Sequence, residues 1–162
     1  MRMKRYLVLL SVFAVAALAL PAVASAQSGH FVTGGANEPT CTDIGTQVRC
    51  SGKVAGLGGT TFTITITAQG TASVVCINPA GHRAPGQDTT VTATGSTGPI
   101  PTPTNGQFTF TLTTAPPGPL PATPTCPNRK WTPVITDVTF TTATLSLFED
   151  STLSDQITVP VQ

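Results

Sequence analysis

Charge is what this chain has least of. Charged residues fill only 9% of its 162 positions, too few to form the basic stripe that neutralises a run of phosphates, so nucleic acid is excluded as a partner. Aromatic residues are scarce as well: there is a single Trp, Trp131, and a single Tyr, Tyr6. That leaves little with which to build a platform for stacking sugar rings. The two histidines, His30 and His82, limit the choice of a general base. No Cys-x-x-Cys pair occurs, which argues against a zinc site, and no metal or other cofactor is expected. No Asn-x-Ser/Thr acceptor is present, and no helical periodicity of apolar residues appears after residue 26.

The only long apolar run lies at the start. Arg2, Lys4 and Arg5 precede an uncharged stretch from Leu7 to Leu20, and Ala24-Ser25-Ala26 supplies the small residues of a signal-peptidase site. Residues 1–26 therefore read as a cleaved signal peptide of the general secretory type, since the run falls short of the roughly 20 residues a membrane span needs. A secreted, extracellular location follows, with no membrane association after cleavage. Residues 27–38 read as a flexible N-terminal segment anchored only by Phe31 and Val32, and residues 39–162 as one domain. Beyond residue 26 five basic residues stand against seven acidic ones, a net of −2.

What the chain has in quantity is threonine alternating with apolar residues. Phe62, Ile64, Ile66 and Ala68 interleave with Thr61, Thr63, Thr65 and Thr67, the period of two that buries one face of a strand and wets the other. Gln69-Gly70 interrupts this run and Val74–Ile77 resumes it, which predicts a central β-hairpin. Further strands are predicted at Thr40–Ala55 (a hairpin), Thr89–Thr94, Gln107–Thr114, Lys130–Phe140, Thr144–Phe148 and Gln156–Val161. Gly56-Leu57-Gly58-Gly59 could suggest a phosphate cradle, but no Lys-Ser/Thr follows and a strand comes next, so it reads as a turn. Pro116–Pro127 is too proline-rich for helix or sheet interior and reads as an extended crossover. Short strands, frequent turns and one long crossover predict an all-β, antiparallel two-sheet sandwich with immunoglobulin-like Greek-key topology, a jelly roll being the alternative.

Cys41, Cys50, Cys76 and Cys126 are even in number and lie beyond the leader, which predicts two disulfides. Three pairings are possible. A two-residue turn at Gly45-Thr46, with Gly first as a type II′ turn requires, sets Cys41 opposite Cys50. Cys76 is then left for Cys126, closing a loop of about 50 residues worth roughly 4 kcal/mol on the chain-entropy model.

Candidate chemistry is sparse. His82 sits in the loop Asn78–Asp88 and could act as a base oriented by Asp88, but no Gly-x-Ser-x-Gly elbow supplies a nucleophile, so an exposed loop histidine is the plainer account. Glu149, Asp150 and Asp155 could form a glycosidase pair, or a weak calcium turn that lacks the regular ligand spacing. A solvated turn is the simpler reading. Trp131 either stacks on a sugar or, on its apolar strand, packs in the core against the Cys76–Cys126 bridge.

The segments Lys53–Gly58, Cys76-Ile77-Asn78-Pro79 with Ala84-Pro85-Gly86-Gln87, and Cys126-Pro127-Asn128 through Trp131 to Ile135–Val138 together resemble a family of small secreted proteins of uncharacterised function, frequent in soil actinobacteria. The resemblance implies a bacterial exported β domain and transfers no catalytic residue. The sequence thus points to a non-catalytic extracellular module, structural or interacting. Its alternatives are a carbohydrate or cell-wall binding module using Trp131 and His82, with a polysaccharide or the cell envelope as partner, and then a small hydrolase.

Overall fold

The computed structural model describes residues 28–162, so the leader expectation falls outside the described residues. The strands are β1 (His30–Phe31), β2 (Thr40–Asp43), β3 (Val48–Ala55), β4 (Thr61–Ile77), β5 (Arg83–Pro85), β6 (Thr89–Ser96), β7 (Ile100–Pro101), β8 (Phe108–Thr113), β9 (Thr132–Glu149) and β10 (Thr152–Pro160). One sheet centres on β3, with β8 along one edge and β1 and β2 in tandem on the other. The second centres on β4, flanked on one side by β9 and then β10, and on the other by β7, β6 and β5 end to end. All of these ladders are antiparallel. The two inner faces meet in one core built from Val48, Cys50, Val54 and Phe110 on one side and Phe62, Ile64, Ile66, Leu145 and Leu147 on the other. Such facing of two apolar faces is what makes a sandwich.

The connectivity is that of the immunoglobulin sandwich: β2, β3 and β8 occupy the places of strands A, B and E, and β10, β9, β4 and β6 those of G, F, C and C′. The jelly-roll alternative is not adopted. Two features depart from antibody domains. Their bridge joins the two sheets through strands B and F, whereas here Cys41–Cys50 lies within the first hairpin and Cys76–Cys126 ties the end of β4 to the crossover.

Both disulfides follow the predicted pairing. Cys41 stands opposite Cys50 in the β2–β3 register, with Cα atoms 4.1 Å apart. The turn between them closes through an Ile44 N–H to Gln47 O bond of 2.9 Å, and Gly45 carries a positive φ of 92°, the left-handed side that a glycine in the first turn position can take. Cys76 and Cys126 have Cα atoms 5.8 Å apart. The proline-rich crossover is extended except for a tight turn over Ala122–Thr125 next to that bridge, closed by Cys126 N–H bonding Ala122 O, within which Thr123 itself stays extended.

The central hairpin is a correction. β4 runs unbroken for 17 residues through Gln69-Gly70, its even-numbered residues facing inward throughout. Lys130–Phe140 and Thr144–Phe148 are likewise one 18-residue strand, β9, beginning at Thr132. The reason lies in two bulges on β9. Thr141 is inserted opposite the Gln69/Gly70 step and Thr136 opposite Ser73/Val74. Each insertion flips the parity, so the inner residues run Ile135, then Val138 and Phe140, then Ala143, Leu145 and Leu147. A period broken in this way looks like two strands. Gly70 is there for space: a Cβ on it would lie 2.7 Å from Thr139 O and 2.7 Å from Val138 Cγ1.

Candidate functional site

The four ends of the long strands separate the chemistry-bearing residues into two places. At one end, where β9 turns into β10, sit the carboxylates of Glu149, Asp150 and Asp155. Glu149 continues the inward alternation of Leu145 and Leu147 and is fully buried. Its Oε1 accepts the N–H groups of Gly58 at 2.7 Å and Gly59 at 3.2 Å; its Oε2 accepts Gly29 N–H at 2.9 Å and the Ser154 hydroxyl at 2.8 Å. The glycine-rich turn does cradle an anion, and the anion is this chain's own side chain. Burial pushes the Glu149 carboxyl upward and is the largest single influence on it. The hydrogen bonds from Gly58, Ser154, Gly29 and Gly59 together outweigh burial and hold it below the ordinary carboxylate value.

The neighbouring carboxylates are occupied in the same manner. Asp150 is exposed, takes the Thr60 hydroxyl at 2.6 Å, and accepts N–H bonds from Thr60 and Thr61 at 3.0 Å each. The Thr60 hydroxyl and then the Thr61 N–H lower its pKa. Asp155 accepts Phe31 N–H at 2.8 Å, drawing β1 against β10, and Gln156 N–H at 2.8 Å. Asp43 does comparable work at the first hairpin, binding Gly45 N–H at 2.9 Å and Phe140 N–H, beside the Thr141 bulge, at 3.1 Å. Among the described residues no group of three or more His, Cys, Asp or Glu side chains is arranged to hold a metal ion.

At the opposite end of β4 lies an open cleft of about 410 Å³. It forms because the edge of β4 changes partner there. β5 ends at Pro85 opposite Val75, β6 starts at Thr89 opposite Ala72, and on that edge no strand among the described residues lies beside the step between them. Gly86 crosses the gap with its N–H bonded to Val74 O at 2.8 Å, and it fits only because a Cβ would fall 2.9 Å from Val74 Cγ1. On the other side of β4 the bulged Thr136 donates its hydroxyl to Ser73 O at 3.1 Å. Val74, Val75, Ala84 and Pro85 supply an apolar surface, and Arg83 and Asp88 supply the charges. Val134, opposite Val75, remains 40% exposed and extends the apolar area.

The structure separates the residues singled out in the sequence. His82 is exposed at the tip of the loop, where its main chain pairs with Asn78: its N–H goes to Asn78 Oδ1 at 2.9 Å and its C=O accepts Asn78 N–H at 3.0 Å. Among the described residues no hydrogen bond joins its imidazole to Asp88, and the ring does not line the cleft. Trp131 is half-buried, one residue before β9, and stands outside the core cluster. It shares the parity of Ile135, which packs on the core, but the β4–β9 ladder begins only at Thr132 opposite Ile77, so Trp131 lies just beyond the paired strands. The cleft itself was not legible in sequence; its one signal was Pro85-Gly86, which ends one edge strand before another begins.

No family model matches the chain, and neither does any curated protein or any solved structure. Among the described residues no helix is long and apolar enough to cross a membrane. Two disulfides fit an oxidising, extracellular environment.

Proposed function

We propose that this protein is an exported, disulfide-stapled β-sandwich that acts outside the cell by binding or by structure and not by catalysis. The observation that carries the reading is the use made of its acidic residues. Glu149, Asp150, Asp155 and Asp43, out of seven acidic residues beyond the leader, each accept main-chain N–H groups that join distant segments. A carboxylate engaged in this way positions backbone and is a poor proton donor or nucleophile. The leader-like residues 1–26 and the two bridges support export. The resemblance to secreted actinobacterial proteins belongs to the same reading.

A second reading is recognition of a polysaccharide or another envelope component at the cleft end. It gains from Trp131 standing outside the core, half-exposed at the start of β9, close in register to Ile77 and the β5 edge. An indole in that position is available for stacking on a sugar ring.

The test is incubation of the full chain with insoluble peptidoglycan, chitin and cellulose, measuring both retained protein and released reducing ends. Retention without release, reduced at least several-fold in Trp131→Ala at unchanged melting temperature, supports binding at this end of the sandwich. Neither retention nor release leaves the structural role. Release of reducing ends that disappears in His82→Ala overturns the non-catalytic reading.

A further inference from the structure

The seam where β10 meets the β1–β2 edge is closed at both ends and open in the middle. At one end Gln162 N–H bonds Cys41 O at 3.0 Å and Asp43 N–H bonds Gln162 O at 2.8 Å, so β10 and β2 run parallel and share a bridge at Cys41 and Val161. At the other end Asp155 holds the Phe31 N–H at 2.8 Å. Between these ties lies a groove of about 400 Å³, half enclosed, with Thr158 and Pro160 on one wall and Glu38, Pro39 and Thr40 on the other.

The hydrogen-bond phase of β10 decides which groups point into this groove. Val161 N–H bonds Thr141 O at 2.9 Å, so in the register that pairs Thr158 with Thr144 the odd residues 157, 159 and 161 form the hydrogen-bonded pairs with β9. Thr158 belongs to the other class of pair, and its N–H and C=O turn away from β9. Pro160 shares that orientation and has no N–H, so the parallel ladder with β2 cannot run on past it. The exposed edge thus offers one donor and the acceptors around it over a length of about 13 Å, from Gln156 to Pro160.

We propose that this groove takes a short extended peptide, about three to four residues long, which pairs with β10 at Thr158 and carries a basic side chain toward Glu38. Main-chain complementarity argues for a polypeptide occupant, since a strand edge is matched by another strand. Charge argues for the basic residue, because among the described residues Glu38 is the single charged side chain on the groove, and it is exposed. The proposal deepens the interaction reading above and names a partner class for a surface remote from the cleft.

The experiment pans a phage-displayed library of random dodecapeptides on the full chain and measures the selected peptides, made synthetically, against wild type, Thr158→Pro and Glu38→Lys. Thr158→Pro removes the outward N–H and leaves the β9 ladder intact, and natural Pro160 shows that the same orientation tolerates proline two residues later. The expected result is enrichment of β-prone peptides containing Lys or Arg, with affinity at least about tenfold lower for Thr158→Pro, the cost of one lost main-chain bond. In Glu38→Lys the preference for basic peptides is lost. Should Thr158→Pro unfold, amide exchange on the wild type reads the same contact: bound peptide slows the Thr158 amide, while Ile157 and Val159 are protected already. No enrichment, or peptides that bind Thr158→Pro as tightly as wild type without slowing the Thr158 amide, overturns the proposal. Tight binding of that insensitive kind leaves the interaction reading standing and moves the partner to another surface.

Discussion

Gly29 and Glu149, 120 residues apart in sequence, are joined by an N–H to carboxylate bond of 2.9 Å inside the fold. Gly29 has no alternative side chain to offer: a Cβ there would fall 2.7 Å from Glu149 Oε2 and 3.1 Å from Leu147 Cδ2. The same carboxylate holds Gly58 and Gly59, so one acidic group gathers the N-terminal segment, the β3–β4 turn and the end of β9. Its substitution by Gln retains the shape but sets an NH₂ against N–H donors. Glu149→Gln is expected to lower stability by about 2–4 kcal/mol in urea denaturation, through buried donors left without a charged acceptor.

The same carboxylate sets an acid limit. Its folded pKa lies below its ordinary value of 4.5, so its contribution is complete above that pH and is lost as pH falls through the folded value. Melting temperatures recorded from pH 7 to pH 2 should stay level down to about pH 4.5 and then drop. In Glu149→Gln the drop should be shallower. An equally steep acid limb in the variant would show that other carboxylates set it.

The two bridges differ in what they close. Cys41–Cys50 spans 9 residues and Cys76–Cys126 spans 50. On the chain-entropy model these are worth about 2.5 and about 4 kcal/mol. Paired Cys-to-Ser replacement at 76 and 126 should therefore depress the melting temperature more than replacement at 41 and 50.

Backbone positions give sharper tests. Gly70→Ala forces a methyl against Thr139 O and the Val138 side chain, and should cost about 1–3 kcal/mol as overpacking. At the β9–β10 turn both Asp150 and Ser151 have positive φ, 46° and 70°, the geometry of a type I′ turn that prefers Asp-Gly. Ser151→Gly should raise stability by about 0.5–1 kcal/mol, since it relieves a left-handed conformation at no loss of contact.

The layers, the strand content and both disulfides could be read from the chain because they rest on local rules: a period of two, a two-residue turn, and the facing of Cys41 and Cys50. The long strands could not. A period-two reading assumes that parity persists, and the bulges at Thr136 and Thr141 change it twice within β9. Gly70 looked like a turn for a related reason, since its role is close approach to another strand that is distant in sequence. Glu149 was partly legible, because Leu145, Leu147 and Glu149 share one parity. What identified it as a clamp was the arrival of Gly29, Gly58 and Gly59 from elsewhere in the chain. The cleft between β5 and β6 and the open seam at Thr158 depend on where neighbouring strands stop, and no local pattern records that.

The most direct test of the account is the intact mass, under non-reducing conditions, of the protein recovered from the medium of the cell that makes it. The account predicts a chain that begins at Gln27 and is four hydrogens lighter than its fully reduced form. A chain found only inside the cell, retaining its first 26 residues or carrying free thiols, would contradict it.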